Sequence, residues 1–163
     1  MSRDILFKEP DFVFSYRVGG ILVRDGKILL QRPRGGGDYA IIGGHVTALE
    51  TTEATLRREF REELHADISV DRLLAVGEVF FPWGNKPCHQ VCFYYRVSLR
   101  DDAIPLDGVF HGWDELGGER IDLDFCWVPL EELRHGLKVY PLALIPHILA
   151  DKAEIAHFVT HED

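Results

Sequence analysis

The sequence has few cysteines and no long apolar run, and both shortages narrow the classes of protein it can belong to. The cysteines number three in 163 residues, and Cys88, Cys92 and Cys126 give neither a paired disulfide framework nor zinc-ligand spacing. We expect buried or half-buried free thiols in a reducing compartment. No segment is long and apolar enough to cross a membrane, and the N-terminus has no signal-peptide pattern. The sequence therefore predicts a soluble, cytoplasmic protein.

Positive charge is also scarce, because 18 Lys and Arg residues stand against 27 Asp and Glu, for a net charge of -9. A negative net charge argues against nonspecific binding to a nucleic-acid backbone. We therefore expect neither a nucleic-acid polymer nor a membrane as partner. Small phosphorylated ligands are still allowed, since a bound cation and local arginines can invert the local field. The length fits one domain, residues 1–163, with a substantial core.

An acid-rich helix is predicted after two glycines, Gly43 and Gly44, and a short polar loop. Glu59 precedes Glu62 and Glu63 by three and four residues, which places the three carboxylates within one arc of the helix surface. Like charges at that spacing repel by roughly 0.2–0.5 kcal/mol per pair. A hard divalent cation with oxygen ligands is the natural counter-charge.

The other face of the same helix is apolar. Leu56, Phe60 and Leu64 recur every four residues and predict a stripe that packs on a core. Thr51 and Thr52 are both candidates for the N-cap residue of this helix. One helix thus presents a packing stripe beside an acidic stripe.

The spacing from Gly44 to Ala66 resembles the box of the Nudix hydrolases. That box reads G, five residues, E, seven residues, R-E-U-x-E-E-x-G-U, where U is a bulky apolar residue. Here Gly44 is followed after five residues by Glu50, and after seven more by Arg58-Glu59-Phe60-Arg61-Glu62-Glu63-Leu64-His65-Ala66. His65 stands where the family has its last glycine, and Ala66 is a small version of U. We expect His65 to adopt the positive φ that ends the helix, which His tolerates better than most non-glycine residues.

Strand patterns surround this helix. They cover residues 11–24, 27–33, 39–42, 67–81, 89–99 and 122–128. Asp25-Gly26 predicts a hairpin between the first two. Turns are expected near Asp71-Arg72 and over residues 82–87.

The later part of the chain is predicted to hold one long loop and two helices. Residues 100–121 are polar and contain glycine, which indicates a loop of the functional or mobile kind. Pro129 is predicted to begin a helix over residues 129–137 as its N1 residue. A last helix is expected over residues 142–157, with His157 and His161 as tail residues.

This order of elements predicts an α/β fold of the mixed α+β kind. The resemblance implies the Nudix fold, an α/β/α sandwich in which a mixed, curved sheet lies between helices. In that fold the box forms a loop and a helix over the sheet.

The resemblance also implies a reaction, the Mg²⁺-dependent hydrolysis of a nucleoside diphosphate linked to another group, with water attacking phosphorus. It implies Glu59, Glu62 and Glu63 as metal ligands, helped by a backbone carbonyl at Gly43 or Gly44. Mg²⁺ prefers six oxygen ligands and lowers the pKa of a bound water, and Mn²⁺ is an alternative cation.

Arg58 and Glu50 are expected to form a supporting pair that orients the acidic helix. The general base in this family is either a box glutamate, here Glu59 or Glu62, or an acid outside the box. Glu119 is the first choice outside the box, and Glu115 is the second.

Five side chains are candidates for contact with substrate. Arg32 could reach a phosphate from the strand that leads to the box. Trp83, Phe81 and Tyr39 could stack on a base, although aromatic residues next to strands are more often core. His45 lies in the predicted box loop, where a histidine usually faces solvent.

The substrate and the partners stay open at this stage. An ordinary or oxidised nucleoside triphosphate, ADP-ribose and a nucleotide sugar all fit the pattern. A non-catalytic nucleotide sensor on the same fold is the alternative, and a lost box carboxylate would mark it, but none is lost. An isomerase or an RNA-decapping enzyme of the same fold is a further alternative. Decapping is disfavoured because it needs a basic RNA-binding surface, whereas this sequence has an acidic net charge. The N-terminal strands offer a surface for a homodimer.

Overall fold

The computed structural model describes residues 3–116 and 118–163. In chain order, the strands and helices are β1 (Leu6–Lys8), β2 (Val13–Arg24), β3 (Lys27–Pro33), β4 (Tyr39–Ala40), β5 (Ile42–His45), α1 (Thr52–Leu64), β6 (Ile68–Trp83), β7 (Lys86–Leu99), β8 (Val109–Leu116), β9 (Glu119–Pro129), α2 (Leu130–Arg134), β10 (Val139–Tyr140), a 3₁₀ turn (Leu142–Leu144), α3 (Ile145–Ala150) and β11 (Ala156–His161).

The sheet is mixed and is organised around β2. This strand pairs in parallel with β7 and antiparallel with β1 and β5. At its end, Asp25 and Gly26 have φ values of 52° and 75°, and the chain returns antiparallel as β3, which confirms the predicted hairpin. Beyond these central strands, β7 pairs with β6 and β6 with β11, while β3 pairs with β9 and β9 with β8.

Helices cover both faces of the sheet, which confirms the predicted α/β/α arrangement. On one face, Phe60 of α1 packs with Val18 and Leu22 of β2. On the other face, Ile148 of α3 packs with Ile21 of β2. Successive residues of β2 thus enter opposite cores, as the alternation of side chains along a strand requires.

The strands predicted from residues 11–33, 89–99 and 122–128 are confirmed. The turn predicted near Asp71-Arg72 is wrong, because β6 runs through it with register shifts between Val70 and Arg72 and between Leu73 and Ala75. These irregularities bend the strand without ending it.

The long loop predicted over residues 100–121 is also wrong. Residues 109–116 form β8, which pairs antiparallel with β9, and residue 117 lies outside the described residues. Outward-facing His111, Trp113 and Glu115 are exposed, which gave the segment its loop-like composition. The inward-facing Phe110 stacks on Phe125 at 5.4 Å between ring centroids, and this contact fixes the strand on the core.

The two late helices are shorter than predicted. Pro129 is the N-cap of α2 rather than its N1 residue, and that helix ends at Arg134. Helix α3 ends at Ala150, and its C-cap Asp151 has φ 46°. The chain that follows forms β11. His157 and His161 therefore lie in a strand that pairs parallel with β6, and the prediction of a helix to residue 157 is wrong.

The cysteines and the lengths of the helices can also be compared with the predictions. Cys88, Cys92 and Cys126 are buried free thiols, as predicted. Among the described residues, every helix is too short or too polar to cross a membrane.

Candidate active site

Helix α1 is fixed at both ends by local hydrogen bonds. Thr51 is the N-cap, and its hydroxyl accepts a hydrogen bond from the Ala54 N–H at 3.1 Å. His65 is the C-cap with φ 53°, so it takes the left-handed conformation expected for the position where the box has glycine. The backbone N–H of His65 bonds to the carbonyl of Arg61 at 3.1 Å. The acidic stripe is thereby held at a defined place over the sheet.

The guanidinium of Arg58 joins the box loop to the helix. Its Nε donates to both carboxylate oxygens of Glu50 at 3.3 Å, and its Nη2 donates to the Thr47 hydroxyl at 2.9 Å. The Thr55 hydroxyl donates to the same Glu50 carboxylate at 2.9 Å. Hydrogen bonds from Arg58 are the main reason that the pKa of Glu50 lies below its usual value. Glu50 is therefore a charged, fully engaged acceptor.

Glu59 and Glu63 form a carboxyl pair in a dry environment. Glu63 is 7% exposed, and its Oε2 has no hydrogen-bond partner among the described residues. Burial, and next the charge of Glu59, raise the pKa of Glu63 to about 10. Burial also raises the pKa of Glu59, against a hydrogen bond with Glu63 and the charge of Arg58. Two acids in this position repel each other when ionised, unless a positive charge joins them.

Glu62 has a different environment. Its side chain is 59% exposed, and its Oε2 accepts a hydrogen bond from Arg58 Nη1 at 3.1 Å. The same Nη1 lies 3.4 Å from Glu59 Oε1. Arg58 thus holds Glu62 at the rim of the carboxyl pair, open to solvent.

These residues fit a hard divalent cation. Carboxylate oxygens are the ligands such a cation prefers, and Glu63 Oε2 is a buried acceptor that no described residue satisfies. The described side chains do not form a ready-made group of three His, Cys, Asp or Glu ligands. The arrangement is a carboxyl pair with Glu62 beside it.

Two glycines of β5 allow close approaches, and one of these is the approach of the carboxyl pair to the sheet. A Cβ on Gly44 would lie 2.4 Å from the Glu59 carboxyl carbon. A Cβ on Gly43 would lie 2.0 Å from the backbone oxygen of Val18 on the neighbouring strand. Gly44 therefore makes room for a functional side chain, and Gly43 makes room for the strand pairing.

A cavity of about 560 Å³ lies on the α3 side of the sheet. Trp83, Phe81 and Tyr94 give it aromatic walls, and Gln31 and Arg17 contribute polar groups. The Gln31 Oε1 is buried without a hydrogen-bond partner among the described residues. Arg17 lines the cavity, and its positive charge also acts on Glu63.

Only some of the side chains predicted to contact substrate lie around this cavity. Trp83 and Phe81 line the cavity, whereas Arg32, Tyr39 and His45 are not among the residues lining it. The Arg32 guanidinium instead lies over the Tyr39 ring, 5.0 Å from its centroid.

His45 lies in β5 rather than in a solvent-facing loop, so that prediction is wrong. The residue is 7% exposed, and its Nε2 lies 3.1 Å from the Ser15 hydroxyl. Burial, and then the positive charges of Arg17 and Lys8, lower the pKa of His45 to about 4. The folded protein therefore holds this imidazole neutral.

We expect His45 to make the protein sensitive to mild acid. The unfolded chain takes up a proton near pH 6.5 and the folded chain only near pH 4, so stability is lost as the pH falls through that window. The full shift corresponds to at most about 3 kcal/mol of unfolding free energy. Urea unfolding at pH 7 and pH 4 should show a smaller loss for His45→Gln than for the wild type. His135→Gln, at an exposed position, is the control, and equal losses in all three proteins would contradict the assignment.

The acids predicted outside the box lie at the β8–β9 hairpin. Glu119 begins β9 and is exposed, and Glu115 is exposed on the outward side of β8. No pattern in the sequence singles out Asp114, whose charge acts on both Glu59 and Glu63. Arg17 was missed as well, because it falls in the middle of a strand pattern.

Comparisons with known proteins agree with this geometry. The family model described as NUDIX domain matches residues 14–147. The chain is similar to the solution structure of the Escherichia coli ORF135 protein, with 25% identity, a TM-score of 0.50, and coverage of 85% of this chain and 88% of that one. It also resembles a MutT protein from Bacillus halodurans, with 17% identity, a TM-score of 0.64, and coverage of 90% and 89%. An ADP-ribose pyrophosphatase from Streptococcus suis matches with 13% identity, a TM-score of 0.54, and coverage of 90% and 98%.

Proposed function

The chain belongs to the NUDIX family and is a pyrophosphohydrolase of the Nudix type, and we propose that it hydrolyses the diphosphate bond of a nucleoside diphosphate linked to another group. Water attacks phosphorus in this reaction, and a divalent cation, Mg²⁺ or Mn²⁺, is required. The substrate belongs to the class of nucleoside triphosphates, ADP-ribose and nucleotide sugars. The catalytic unit is the single domain formed by residues 1–163.

The carboxyl pair of Glu59 and Glu63 carries this proposal. A buried acceptor without a partner costs about 1–3 kcal/mol, and two buried ionised carboxylates cost more. Here the pair packs closely against Gly44, and Glu63 Oε2 has no partner among the described residues. A bound cation would remove this cost and so raise the free energy of unfolding. A bound cation of this kind neutralises phosphate charge and lowers the pKa of a water molecule.

Each box residue has a role in the proposal. Glu59, Glu62 and Glu63 hold the cation, together with the backbone of Gly44. Glu62 or Glu59 accepts the proton of the attacking water, and Glu62 is suited to this by its exposure beside the pair. Glu119 remains a second candidate for the base.

Arg58 and Glu50 support the site without contacting substrate. Their paired hydrogen bonds fix the carboxylates of the helix relative to the box loop. Arg58 also lies near both Glu59 and Glu62, so it limits their repulsion until the cation and substrate bind.

The nucleoside is proposed to enter the cavity on the α3 side. Its volume of about 560 Å³ is within the usual range of roughly 300–1,000 Å³ for ligand pockets. Trp83 stacks on the base, and the amide oxygen of Gln31, which has no partner among the described residues, accepts a hydrogen bond from the edge of the base. Arg17, which lines the cavity and whose charge acts on Glu63, binds the diphosphate.

The remaining predicted contacts act at the margin of this site. Arg32 binds a distal phosphate with Tyr39 stacked beneath it, and His45 positions the strand below the phosphates through its bond with Ser15. The buried free thiols fit a cytoplasmic location. A homodimer formed through the N-terminal strands is compatible with the proposal.

A panel assay tests the reaction. Formation of the nucleoside monophosphate from nucleoside triphosphates, ADP-ribose and nucleotide sugars is measured with Mg²⁺, Mn²⁺ or EDTA, for the wild type and Glu62→Gln. We expect turnover of at least one compound, loss of activity in EDTA, and a fall of about 10²–10⁴-fold in Glu62→Gln.

Glu53→Gln is the control, because Glu53 lies in the first turn of the same helix with its side chain 50% exposed. No turnover on the whole panel, combined with tight nucleotide binding in EDTA, would replace the hydrolase by a non-catalytic nucleotide sensor.

A further inference from the structure

Strand β11 is an open edge of the sheet. Among the described strands it pairs with β6 alone, and it runs parallel to that strand. The N–H of Glu162 donates to the carbonyl of Phe80 at 2.7 Å, which fixes the phase of the hydrogen bonding. In a parallel pair, every second residue makes both backbone bonds to the neighbouring strand. His157, Val159 and His161 therefore direct their N–H and C=O groups away from β6, and we call these three residues the outer row of β11.

The strand that carries the outer row is firmly held. Phe158 is 8% exposed and packs in the core on the α3 side of the sheet. On the opposite side, His157 Nε2 lies 2.7 Å from Glu78 Oε2. His161 stacks on Phe80 at 4.7 Å between ring centroids. The outer row thus has a fixed geometry, which lowers the entropy cost of pairing with another strand.

Other edge strands of this sheet carry features that discourage pairing with another chain. Strand β1 has three residues, including Lys8, and Pro10 follows it shortly after. Strand β10 has only two residues, and β8 carries the charges of Asp114 and Glu115. The sequence of β11, AHFVTH, has no Lys, Pro, Asp or Glu, and its Val159 is 54% exposed. Short length, prolines and charges are the usual protection of an edge strand, and β11 lacks all three.

The outer row reads the same in both directions. Val159 is its centre, with His157 two residues before and His161 two residues after. Two copies of β11 that run antiparallel about a two-fold axis at Val159 would place this valine opposite itself, and His157 opposite His161 of the second copy. Each opposed pair can then exchange both of its N–H···O bonds. Because the contact uses the same surface on each copy, it closes after two chains and leaves the edge covered.

We propose that β11 pairs with β11 of a second copy, antiparallel and centred on Val159, so that two sheets join into one across a homodimer. The N-terminal strands are the competing interface, and β1 is the shorter and better protected edge. Glu162 and Asp163 follow β11 directly and line the cavity on the α3 side. The dimer contact therefore braces the strand that carries one wall of each cavity.

Val159→Cys tests the centre of the contact. Opposed Cα atoms in a hydrogen-bonded antiparallel pair lie about 5.5 Å apart, within the roughly 4.4–6.8 Å that a disulfide spans. The three native cysteines are buried and should give little background. Val109→Cys is the control, because Val109 is a strand valine that is 53% exposed. Under a mild oxidant, we expect the yield of disulfide-linked dimer to be at least about 10-fold higher for Val159→Cys, because pairing raises the effective thiol concentration.

Val159→Lys and Val159→Glu test the two-fold axis. Each variant alone places two like charges directly opposite each other, so the dimer dissociation constant should rise at least about 10-fold in sedimentation equilibrium. An equimolar mixture of the two variants places opposite charges across the axis and should restore the dimer, which a folding defect would not allow. Val109→Lys makes the same change at a similarly exposed valine and should match the wild type.

Three outcomes overturn the inference. The first is a wild type that stays monomeric up to millimolar concentration. The second is a wild-type dissociation constant in Val159→Lys, which a dimer formed through the N-terminal strands would give. The third is a mixture of Val159→Lys and Val159→Glu that stays monomeric, or a disulfide yield in Val159→Cys no higher than in Val109→Cys. No step of the test depends on turnover, so its failure leaves the proposed function unchanged.

Discussion

Glu63→Gln should abolish metal-dependent turnover and at the same time stabilise the metal-free protein. The amide loses the negative charge that holds the cation, so turnover should fall at least about 100-fold, the upper range for residues that merely support a metal ligand. The buried Oε2 of Glu63 has no partner among the described residues, and the neutral amide of the variant can donate a hydrogen bond to the Glu59 carboxylate. Removing this unfavourable contact should raise the unfolding free energy in EDTA by about 1–3 kcal/mol.

The sign of the stability effect follows from the pKa of Glu63, which burial raises to about 10. The unfolded carboxyl ionises near its model value of 4.5, whereas the folded one keeps its proton far above that pH. The folded state then binds more protons, so metal-free stability declines as the pH rises between these values. Glu63→Gln removes that decline. The difference in unfolding free energy between the metal-free variant and the metal-free wild type should therefore be larger at pH 8 than at pH 5.

Urea unfolding in EDTA at both pH values, with a turnover assay in Mg²⁺, measures the two effects. Glu53→Gln changes the same group on the same helix at a solvent-exposed position and should follow the wild type. A variant that is less stable than the wild type in EDTA, or one that keeps full turnover, would contradict this account of Glu63.

Local chemistry was sufficient to predict helix α1. Thr51 caps it, Phe60 faces the core and His65 ends it in the left-handed conformation, and each of these features depends on residues within a few positions. The hairpin at Asp25-Gly26 is equally local, since both residues adopt positive φ. Where a few neighbouring residues decide the backbone, the sequence is a reliable guide.

The edges of the sheet could not be predicted in the same way. Strand β11 forms because β6 presents backbone groups that need partners, and no pattern in residues 156–161 identifies that distant partner. Strand β8 is polar on its outward side, and only its pairing with β9 places Phe110 on the core. Long-range pairing overrode the local composition in both cases.

The same distinction separates the parts of the candidate site. The spacing of Glu59, Glu62 and Glu63 on one helix could be read directly from the sequence. The approach of Asp114 to that helix depends on the register of β8 with β9, and the position of Arg17 depends on the pairing of β2 with β5 and β7. A strand slipped by one residue would turn Asp114 away from the site.

Gly43→Ala and Gly44→Ala should separate folding from function at adjacent positions of β5. Neither glycine has a left-handed φ, so the effect of an added Cβ is purely steric. At Gly43, the Cβ would lie 2.0 Å from the Val18 backbone oxygen, and a backbone atom of the central strand cannot move aside. We expect a loss of about 3 kcal/mol or more in unfolding free energy, which lowers the unfolding temperature by about 6–12 °C.

At Gly44, the added Cβ would meet the carboxyl carbon of Glu59 at 2.4 Å, and that flexible side chain can swing away. Gly44→Ala should therefore cost only about 1 kcal/mol of stability, but it moves a proposed metal ligand and should reduce turnover about 10–100-fold.

Thermal unfolding and turnover in saturating Mg²⁺ are compared for both variants, each serving as the control for the other. A Gly44→Ala protein with wild-type turnover would mean that the position of the Glu59 carboxyl does not matter for catalysis. A Gly43→Ala protein that unfolds at the wild-type temperature would mean that β5 can shift away from β2 without loss, and the two glycines would then have no distinct roles.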